Sequence, residues 1–209
     1  MASALARCKL ARLAARLNEG GTGKRARALP PLILMTDDER LPDPLAAARA
    51  LPKGSAIILR HRHLGERRKL ALALKAIARR RGLVLIIADD GVLVARVRAD
   101  GLHLPEAKMN TAAHWRAAHP SWLITVAAHS ERALVRAALA RADAALFAPV
   151  FPSLSHPNRP SLGALRTRSI ALHARLPIYA LGGINATNAE RLTGARLAGI
   201  AAIEALLPD

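Results

Sequence analysis

The chain has 209 residues, of which 52% are hydrophobic and only 2% aromatic, so it can form one domain with a core of aliphatic side chains. Its net charge of +17 suits an anionic partner such as a phosphorylated metabolite, and the alternative is that arginine-rich helix faces are simply solvated. The shortage of aromatic stacking platforms counts against binding of single-stranded nucleic acid. The single cysteine, Cys8, excludes an intrachain disulfide and a cysteine metal cluster, and the longest apolar run, 83–88, is too short to span a membrane.

Residues 1–28 form a basic segment ahead of the regular pattern. Leucines recur near helical spacing over 2–17 with Arg and Lys between them, which predicts an amphipathic helix followed by a flexible linker. Because Glu19 is the one acidic residue here, a transit peptide is one interpretation; we favour an extension that packs across the domain. We therefore divide the chain into 1–28, helix and linker, and 29–209, a single barrel domain.

From Leu32 onward, short apolar runs alternate with segments of helical pattern. The runs predict strands at 32–35, 56–60, 83–88, 101–104, 122–126, 144–148, 177–181 and 198–203. The segments between them predict helices at 44–51, 65–81, 90–98, 111–119, 130–141, 163–174 and 185–193. Such alternation is typical of βαβ units, and eight strands predict a closed (β/α)8 barrel, with an open parallel sheet as the alternative.

The turn Gly182-Gly183 follows the seventh strand, where barrels commonly bind phosphate. A helix is predicted to start directly afterwards, at Asn185. Bare backbone N–H groups and a helix N-terminus would together hold a phosphate there. The alternative is a tight connection whose glycines only provide a positive φ.

Polar residues also follow other predicted strands. Asp37, Asp90 and Ser130 are well placed as helix N-caps. After strand 2, either Arg60 or Arg62 is expected to face the barrel mouth, because residues of a strand alternate between its two faces.

Two histidines stand at strand ends. His129 could transfer protons near neutral pH from the mouth of a barrel. His103 lies between two leucines, so a buried structural histidine and a chemical role are both open interpretations.

The order and spacing of short motifs resemble the thiamine phosphate synthase/TenI family of (β/α)8 barrels over roughly residues 30–207. The motifs are Leu34-Met-Thr-Asp37, Arg62 of strand 2, Ile86-Ile-Ala-Asp89, Ala99-Asp-Gly-Leu-His-Leu104, His129-Ser130, Ala142-Asp143, Ala148-Pro-Val-Phe-Pro152 and Ala180-Leu-Gly-Gly-Ile-Asn185. By this resemblance the chain is expected to be an enzyme of thiamine biosynthesis.

In the synthase branch of that family, a pyrimidine diphosphate ionises and the nitrogen of a thiazole phosphate captures the cation. Mg²⁺, held by two aspartates, carries the leaving diphosphate. The resemblance aligns Asp89 with the first aspartate but Lys108, which cannot bind Mg²⁺, with the second. Further departures from the synthase pattern are Leu64 and His156 in place of lysines, Ala88 in place of Asn and Ala127 in place of Ser. They argue against synthase activity because they remove groups that stabilise a departing diphosphate.

The motif Leu102-His-Leu-Pro-Glu106 is closer to the TenI branch, whose members aromatise a thiazole carboxylate phosphate tautomer without a metal. The resemblance implies that His129 is the acid/base and that Arg62 contacts the negative charge of the substrate. It implies phosphate binding at Gly182, Gly183, Ile203 and Glu204, and further substrate contacts at Asp89, His103, Lys108, Ser153, Ser155 and His156. Glu204 replaces a small residue, and its carboxylate would repel a phosphate if it faced the site.

The sequence thus predicts a cytoplasmic thiazole tautomerase without a cofactor, acting on small phosphorylated thiazole or pyrimidine substrates and binding no membrane; a homodimer is one open alternative for its assembly. The first alternative is a thiamine phosphate synthase, which would use Mg²⁺ or the charge of Lys108 in its place. The second is a non-catalytic barrel that binds phosphorylated ligands or nucleic acid through its arginine-rich surface.

Overall fold

A single ring of eight parallel strands organises the molecule, in a computed structural model that describes residues 4–21, 28–61, 64–152 and 160–208. The strands are β1 Leu32–Met35, β2 Ala56–Leu59, β3 Val84–Ala88, β4 Gly101–Leu104, β5 Leu123–Ala128, β6 Ala144–Phe147, β7 Ile178–Ala180 and β8 Gly199–Ala202. Strand β1 pairs with both β2 and β8, which closes the ring in chain order. The predicted (β/α)8 barrel is confirmed, and the open sheet is excluded.

Helices cover the outside of this ring. They are α1 Ala4–Glu19, α2 Pro44–Ala50, α3 Leu64–Arg81, α4 Gly91–Val97, α5 Ala112–Ala118, α6 Glu131–Leu139 and α7 Gly163–His173, with 3-10 helices at Glu106–Thr111, Ala189–Leu192 and Glu204–Leu206. Each predicted helix before residue 175 has its counterpart, with ends shifted by a few residues.

The predicted helix 185–193 is wrong. Asn185 caps one turn, since its side chain accepts the backbone N–H groups of Thr187 and Asn188 at 2.9 and 3.0 Å. That turn continues only as the 3-10 helix Ala189–Leu192, and Gly194, with φ of 80°, ends it. A segment this short lacks the long row of aligned peptide dipoles that a helix starting at Asn185 would have offered to a phosphate.

Two of the three predicted helix N-caps are confirmed. Asp90 accepts the backbone N–H of Leu93 at 2.8 Å, and Ser130 accepts that of Ala133 at 3.1 Å. Asp37 caps no helix, because α2 begins only at Pro44 and is capped by Asp43.

The hydrophobic core has two layers, as strand alternation requires. Between strands and helices lies a large aliphatic layer, whereas the inside of the ring is filled mainly by small and branched residues such as Ile33, Ile58, Ile86 and Ala144. The one large aromatic residue inside is Tyr179, whose hydroxyl donates to the carbonyl of Pro30 at 2.7 Å; its burial raises the pKa of the phenol.

Helix α1 packs on β1 and β8, next to the short 3-10 helix Glu204–Leu206 that follows β8. Leu10, Leu13 and Leu17 are buried, and the amide of Asn18 donates to the carbonyl of Ala198 at 2.7 Å. This helix therefore covers the outer face of β1 and β8. The division of the chain at residue 28 stays a prediction. Among the described residues, no helix is both long and apolar enough to cross a bilayer.

Candidate functional site

The carboxyl ends of all eight strands open on one face of the barrel, because the strands are parallel. In barrels of this kind that face carries the active site. The polar side chains that follow the strands therefore meet at this mouth, although they are far apart in the sequence.

A carboxylate with two arginines lies after β1 and β2. Asp37 Oδ2 accepts from Arg40 Nη2 at 2.9 Å and from Arg60 Nη2, and Asp37 Oδ1 accepts the backbone N–H of Arg40 at 3.1 Å. The hydrogen bonds from Arg40, assisted by the charge of Arg60, hold the pKa of this carboxyl well below its usual range and raise the pKa of Arg40. The Asp37 carboxyl stays ionised at neutral pH, and since Glu204 lies beside Arg40, the two carboxylates balance the two guanidiniums.

Arg60 is fixed at its backbone as well. Its N–H donates to Thr36 Oγ1 at 2.9 Å, and its side-chain Nε is buried without an acceptor among the described residues. Alternation along a regular strand gives residues two apart the same face, so it could not choose between Arg60 and Arg62. Ala56 and Ile58 belong to the interior layer, which puts Arg60 on the inward face; Arg62 lies outside the described residues.

An acidic residue with its own ammonium partner follows β3 and β4. Lys108 Nζ lies 2.8 and 2.9 Å from the two carboxylate oxygens of Asp89. The side chains are 57% and 43% exposed, so this ion pair adds only about 0–1 kcal/mol to stability. Asp89 has φ of 56°, a conformation that costs about 1–3 kcal/mol outside glycine. The pair is thus a weakly stabilising contact that is open to solvent at the mouth of the barrel.

The same residues are a poor match for Mg²⁺. Both oxygens of Asp89 already face the Lys108 ammonium, and the described part of the chain contains no group of three His, Cys, Asp or Glu side chains that could hold a metal. Mg²⁺ requires near-octahedral oxygen ligands. The second aspartate that the family resemblance asks for is thus replaced by a cation.

His129 is held at the mouth by two contacts. Its backbone N–H donates to Glu106 Oε2 at 2.9 Å, and its ring Nδ1 lies 3.0 Å from the carbonyl of Ala148. Since a carbonyl only accepts, Nδ1 carries the proton, and Nε2 is left as the acceptor of the neutral ring. Glu106 is itself paired with Arg136 at 2.7 Å. This anchoring role of Glu106 was missed from the sequence, because it joins segments that no local pattern connects.

His103 lies inside the ring on β4, hydrogen-bonded through Nδ1 to Thr125 Oγ1 at 3.0 Å. Burial, together with the nearby charge of Arg60, lowers the pKa of this imidazole to about 4. It is therefore neutral at physiological pH. Its predicted contact with a substrate stays a prediction.

The Gly182-Gly183 turn needs both glycines. Their φ angles are 95° and 64°, and a Cβ on Gly183 would lie 2.2 Å from the carbonyl oxygen of Pro152. The turn is held by the backbone of Phe151, whose N–H donates to Gly182 O, and by Asn188, whose amide donates to Gly183 O. Both contacts are accepted by the carbonyl oxygens of the two glycines. The N–H groups of Gly183 and Ile184 have no acceptor among the described residues.

A second pair of donors lies after β8. The backbone N–H groups of Glu204 and Ala205 open a 3-10 helix and have no acceptor in the described parts of the chain, while Ile203 precedes them. The Glu204 carboxylate, half exposed, lies 3.9 Å from Arg40 Nη1. Arg40 thus offsets the negative charge that was expected, from the sequence, to repel a phosphate.

Of the remaining predicted contacts, Ser153, Ser155 and His156 also lie outside the described residues. Arg40 was missed, although Asp37 three residues earlier was a usable signal for a local ion pair. The mouth brings together Asp89 with Lys108 on one side and the bare N–H groups after β7 and β8 on the other.

Three comparisons agree on what this chain is similar to. A family model described as thiamine monophosphate synthase matches residues 32–206. A thiamine-phosphate synthase of Thioalkalivibrio sulfidiphilus is 34% identical, covering 83% of this chain and 84% of its own, and one of Alcanivorax borkumensis is 31% identical, covering 82% and 80%. The solved thiamine phosphate pyrophosphorylase of Pyrococcus furiosus superposes with a TM-score of 0.70 at 22% identity, over 87% of this chain and 88% of that one, and supports the fold.

The depressed pKa of His103 predicts a pH-dependent stability. Its neutral form is favoured in the folded state, so its contribution is complete above the unfolded value of 6.5 and is lost as the pH falls towards 4. In that window the free energy of unfolding of the wild type should fall by up to about 1.4 kcal/mol per pH unit more than that of His103→Gln. Urea unfolding at several pH values measures both slopes; parallel slopes would contradict the prediction.

Proposed function

The chain belongs to the thiamine monophosphate synthase/TenI family, whose members are enzymes of thiamine biosynthesis, and from that membership we propose that it makes thiamine phosphate. In this reaction a pyrimidine diphosphate and a thiazole phosphate are joined and diphosphate is released. The names of the relatives favour this transferase reaction over the tautomerase that the sequence alone suggested.

The observation that carries the proposal is the presence of two regions suited to anions at one mouth. Lys108 follows β4, and Arg60 follows β2, whereas the bare N–H groups follow β7 and β8. Strands β4 and β8 lie on opposite sides of the eight-stranded ring, and β2, which Arg60 follows, lies between them. A reaction between two phosphorylated substrates requires two such regions, and the net charge of +17 raises the local concentration of both.

The synthase reaction requires fixed positive charges beside the departing diphosphate. The bond between the pyrimidine methylene carbon and the diphosphate oxygen breaks, and the oxygen keeps the electron pair. The thiazole nitrogen then forms a bond to that carbon with its own lone pair. Arg60 and Lys108 would stabilise the charge that grows on the diphosphate, and they need little reorientation because Asp37 and Asp89 hold them in place.

The thiazole phosphate would bind on the other side. Backbone N–H groups of Gly183, Ile184, Glu204 and Ala205 are donors that no described residue uses. Donors of this kind form a nest for a phosphate without any helix dipole. The ion pair with Arg40 keeps the Glu204 carboxylate from opposing this binding.

A thiazole tautomerase is the second candidate, and the geometry of His129 favours it. With Nδ1 committed to the carbonyl of Ala148, Nε2 is the one ring position that could take and return a proton. This reaction needs one phosphate site and no metal, which agrees with the replacement of a metal ligand by Lys108.

Assays with defined substrates separate the two reactions. We expect the purified protein to form thiamine phosphate from the pyrimidine diphosphate and the thiazole phosphate, detected by oxidation to the fluorescent thiochrome derivative. The thiazole carboxylate phosphate tautomer, incubated alone, measures isomerisation. If product forms only in the second assay, the tautomerase is correct and the synthase proposal is wrong.

The variant His129→Ala tests the second candidate further. As the acid/base of a tautomerase, His129 would be needed at each turnover, so its loss should lower conversion of the tautomer by about 100-fold or more. His173→Ala is a matched control, because His173 is also exposed and bonded through Nδ1 to a backbone carbonyl, at 2.9 Å, but lies at the end of α7. Equal rates in both variants would remove His129 from the mechanism.

Gly183→Ala should weaken binding of the thiazole phosphate by at least about tenfold, since the new methyl group cannot fit beside Pro152 O without moving the turn. Gly54→Ala is the control for backbone strain alone: Gly54 has φ of 83° and nothing within 4 Å of the added Cβ. Calorimetric titration with the thiazole phosphate compares them. If both variants bind as the wild type does, the phosphate does not bind at this turn.

A further inference from the structure

The ammonium of Lys108 occupies the place where the family resemblance asks for a divalent cation. Two contacts of 2.8 and 2.9 Å to Asp89 hold it on the carboxylate as a metal ion would be held. The pair lies at the mouth of the barrel and is exposed enough to meet a ligand.

Both partners are fixed by the backbone. Lys108 lies in the 3-10 helix Glu106–Thr111, where its N–H donates to Pro105 O at 2.9 Å and its carbonyl accepts from Thr111 Oγ1 at 2.8 Å. The N–H of Asp89 donates to His103 O at 2.8 Å, in spite of the unfavourable φ of Asp89. The backbone on each side of the ion pair is thus held by local hydrogen bonds.

A divalent cation would have to displace this ammonium. Mg²⁺ bound to Asp89 would lie within a few ångströms of Lys108, and the two positive charges would repel each other. The lysine brings no oxygen ligand in return. The carboxylate is therefore already neutralised by the chain itself.

An ammonium has three N–H donors, and Asp89 occupies two of them. No described residue accepts the third. An oxygen of an anionic ligand at the mouth can accept it without breaking the ion pair.

We propose that Lys108 is a substrate-binding residue that replaces the divalent cation, so that this protein binds the diphosphate group of its substrate without a metal. The identification of that group rests on the proposed function. The net charge of the site is the same in both cases, because two aspartates with Mg²⁺ sum to zero and so do Asp89 and Lys108.

The absence of a divalent-cation site can be tested by metal binding, without an assay of enzyme activity. Mn²⁺ serves as a paramagnetic probe for Mg²⁺ in a titration followed by electron paramagnetic resonance. The wild type should show no saturable site up to millimolar Mn²⁺. Lys108→Asp, which places a second carboxylate beside Asp89, should acquire one, and Asp89→Asn in that background should remove it.

The second part of the proposal, that Lys108 binds diphosphate, is tested by measuring diphosphate binding directly. With a chelator present, inorganic diphosphate should bind the wild type measurably and Lys108→Met at least about tenfold more weakly, because a charge-assisted hydrogen bond is lost. Lys75→Met is the matched control: Lys75 forms a 2.7 Å ion pair with Asp100, which precedes β4 at the opposite end of the barrel. It should bind diphosphate as the wild type does.

Two results would overturn the inference: a saturable Mn²⁺ site in the wild type that Asp89→Asn removes, or an affinity of Lys108→Met for diphosphate within twofold of the wild type. The Lys108→Met arm keeps the test decisive even if Lys108→Asp does not fold. Lys108-dependent diphosphate binding together with a negative synthase assay would refute the proposed function and leave this inference standing.

Discussion

Closure of eight short parallel strands into one ring is the constraint on which the rest of this molecule depends. The pairing of β1 with β8 satisfies the last open strand edges and brings the end of every strand to one face. Closure also limits what fits inside. An interior of alanine, isoleucine and leucine, with Tyr179 as its large aromatic residue, suits a chain with so few aromatic side chains. The same ring opposes β4 to β8, so Lys108 and the bare N–H groups after β8 lie on opposite sides of it.

The fold could be predicted because each strand is a short apolar run between polar turns, and that signal is local. The helix 185–193 could not, because Asn185 begins a turn that looks like a helix start in sequence. Gly194 ends that turn early, and the amide of Asn188 is bonded back to Gly183 O. The preference of asparagine for helix N-terminal positions correctly indicated a cap at Asn185, but it could not predict how short the segment after Asn185 would be.

The side-chain contacts at the mouth were less predictable, since most of them join residues far apart in the chain. Glu106 accepts hydrogen bonds from His129 and Arg136, which come 23 and 30 residues later in the chain, and no periodicity indicates this. Arg60 is placed by its contact with Asp37, 23 residues earlier in the chain, which strand alternation could not predict. The short motif at residues 102–106 predicts a tautomerase, whereas the similar proteins are named as synthases and favour that activity.

The charges at the mouth are organised differently from a general basic surface. Although the chain carries an excess of +17, the described cations at the mouth are paired: Asp37 with Arg40 and Arg60, Asp89 with Lys108, and Glu106 with Arg136.

Pairing lowers the attraction of each cation for a distant anion but fixes its direction, so little reorganisation accompanies binding at short range. A surface that binds polyanions through counterion release has no need of this arrangement. A site that holds one small anion in one orientation benefits from it, because Asp89 and Asp37 fix the positions of the Lys108 ammonium and the Arg60 guanidinium. The internal carboxylates thus argue for a small phosphorylated substrate over a nucleic acid.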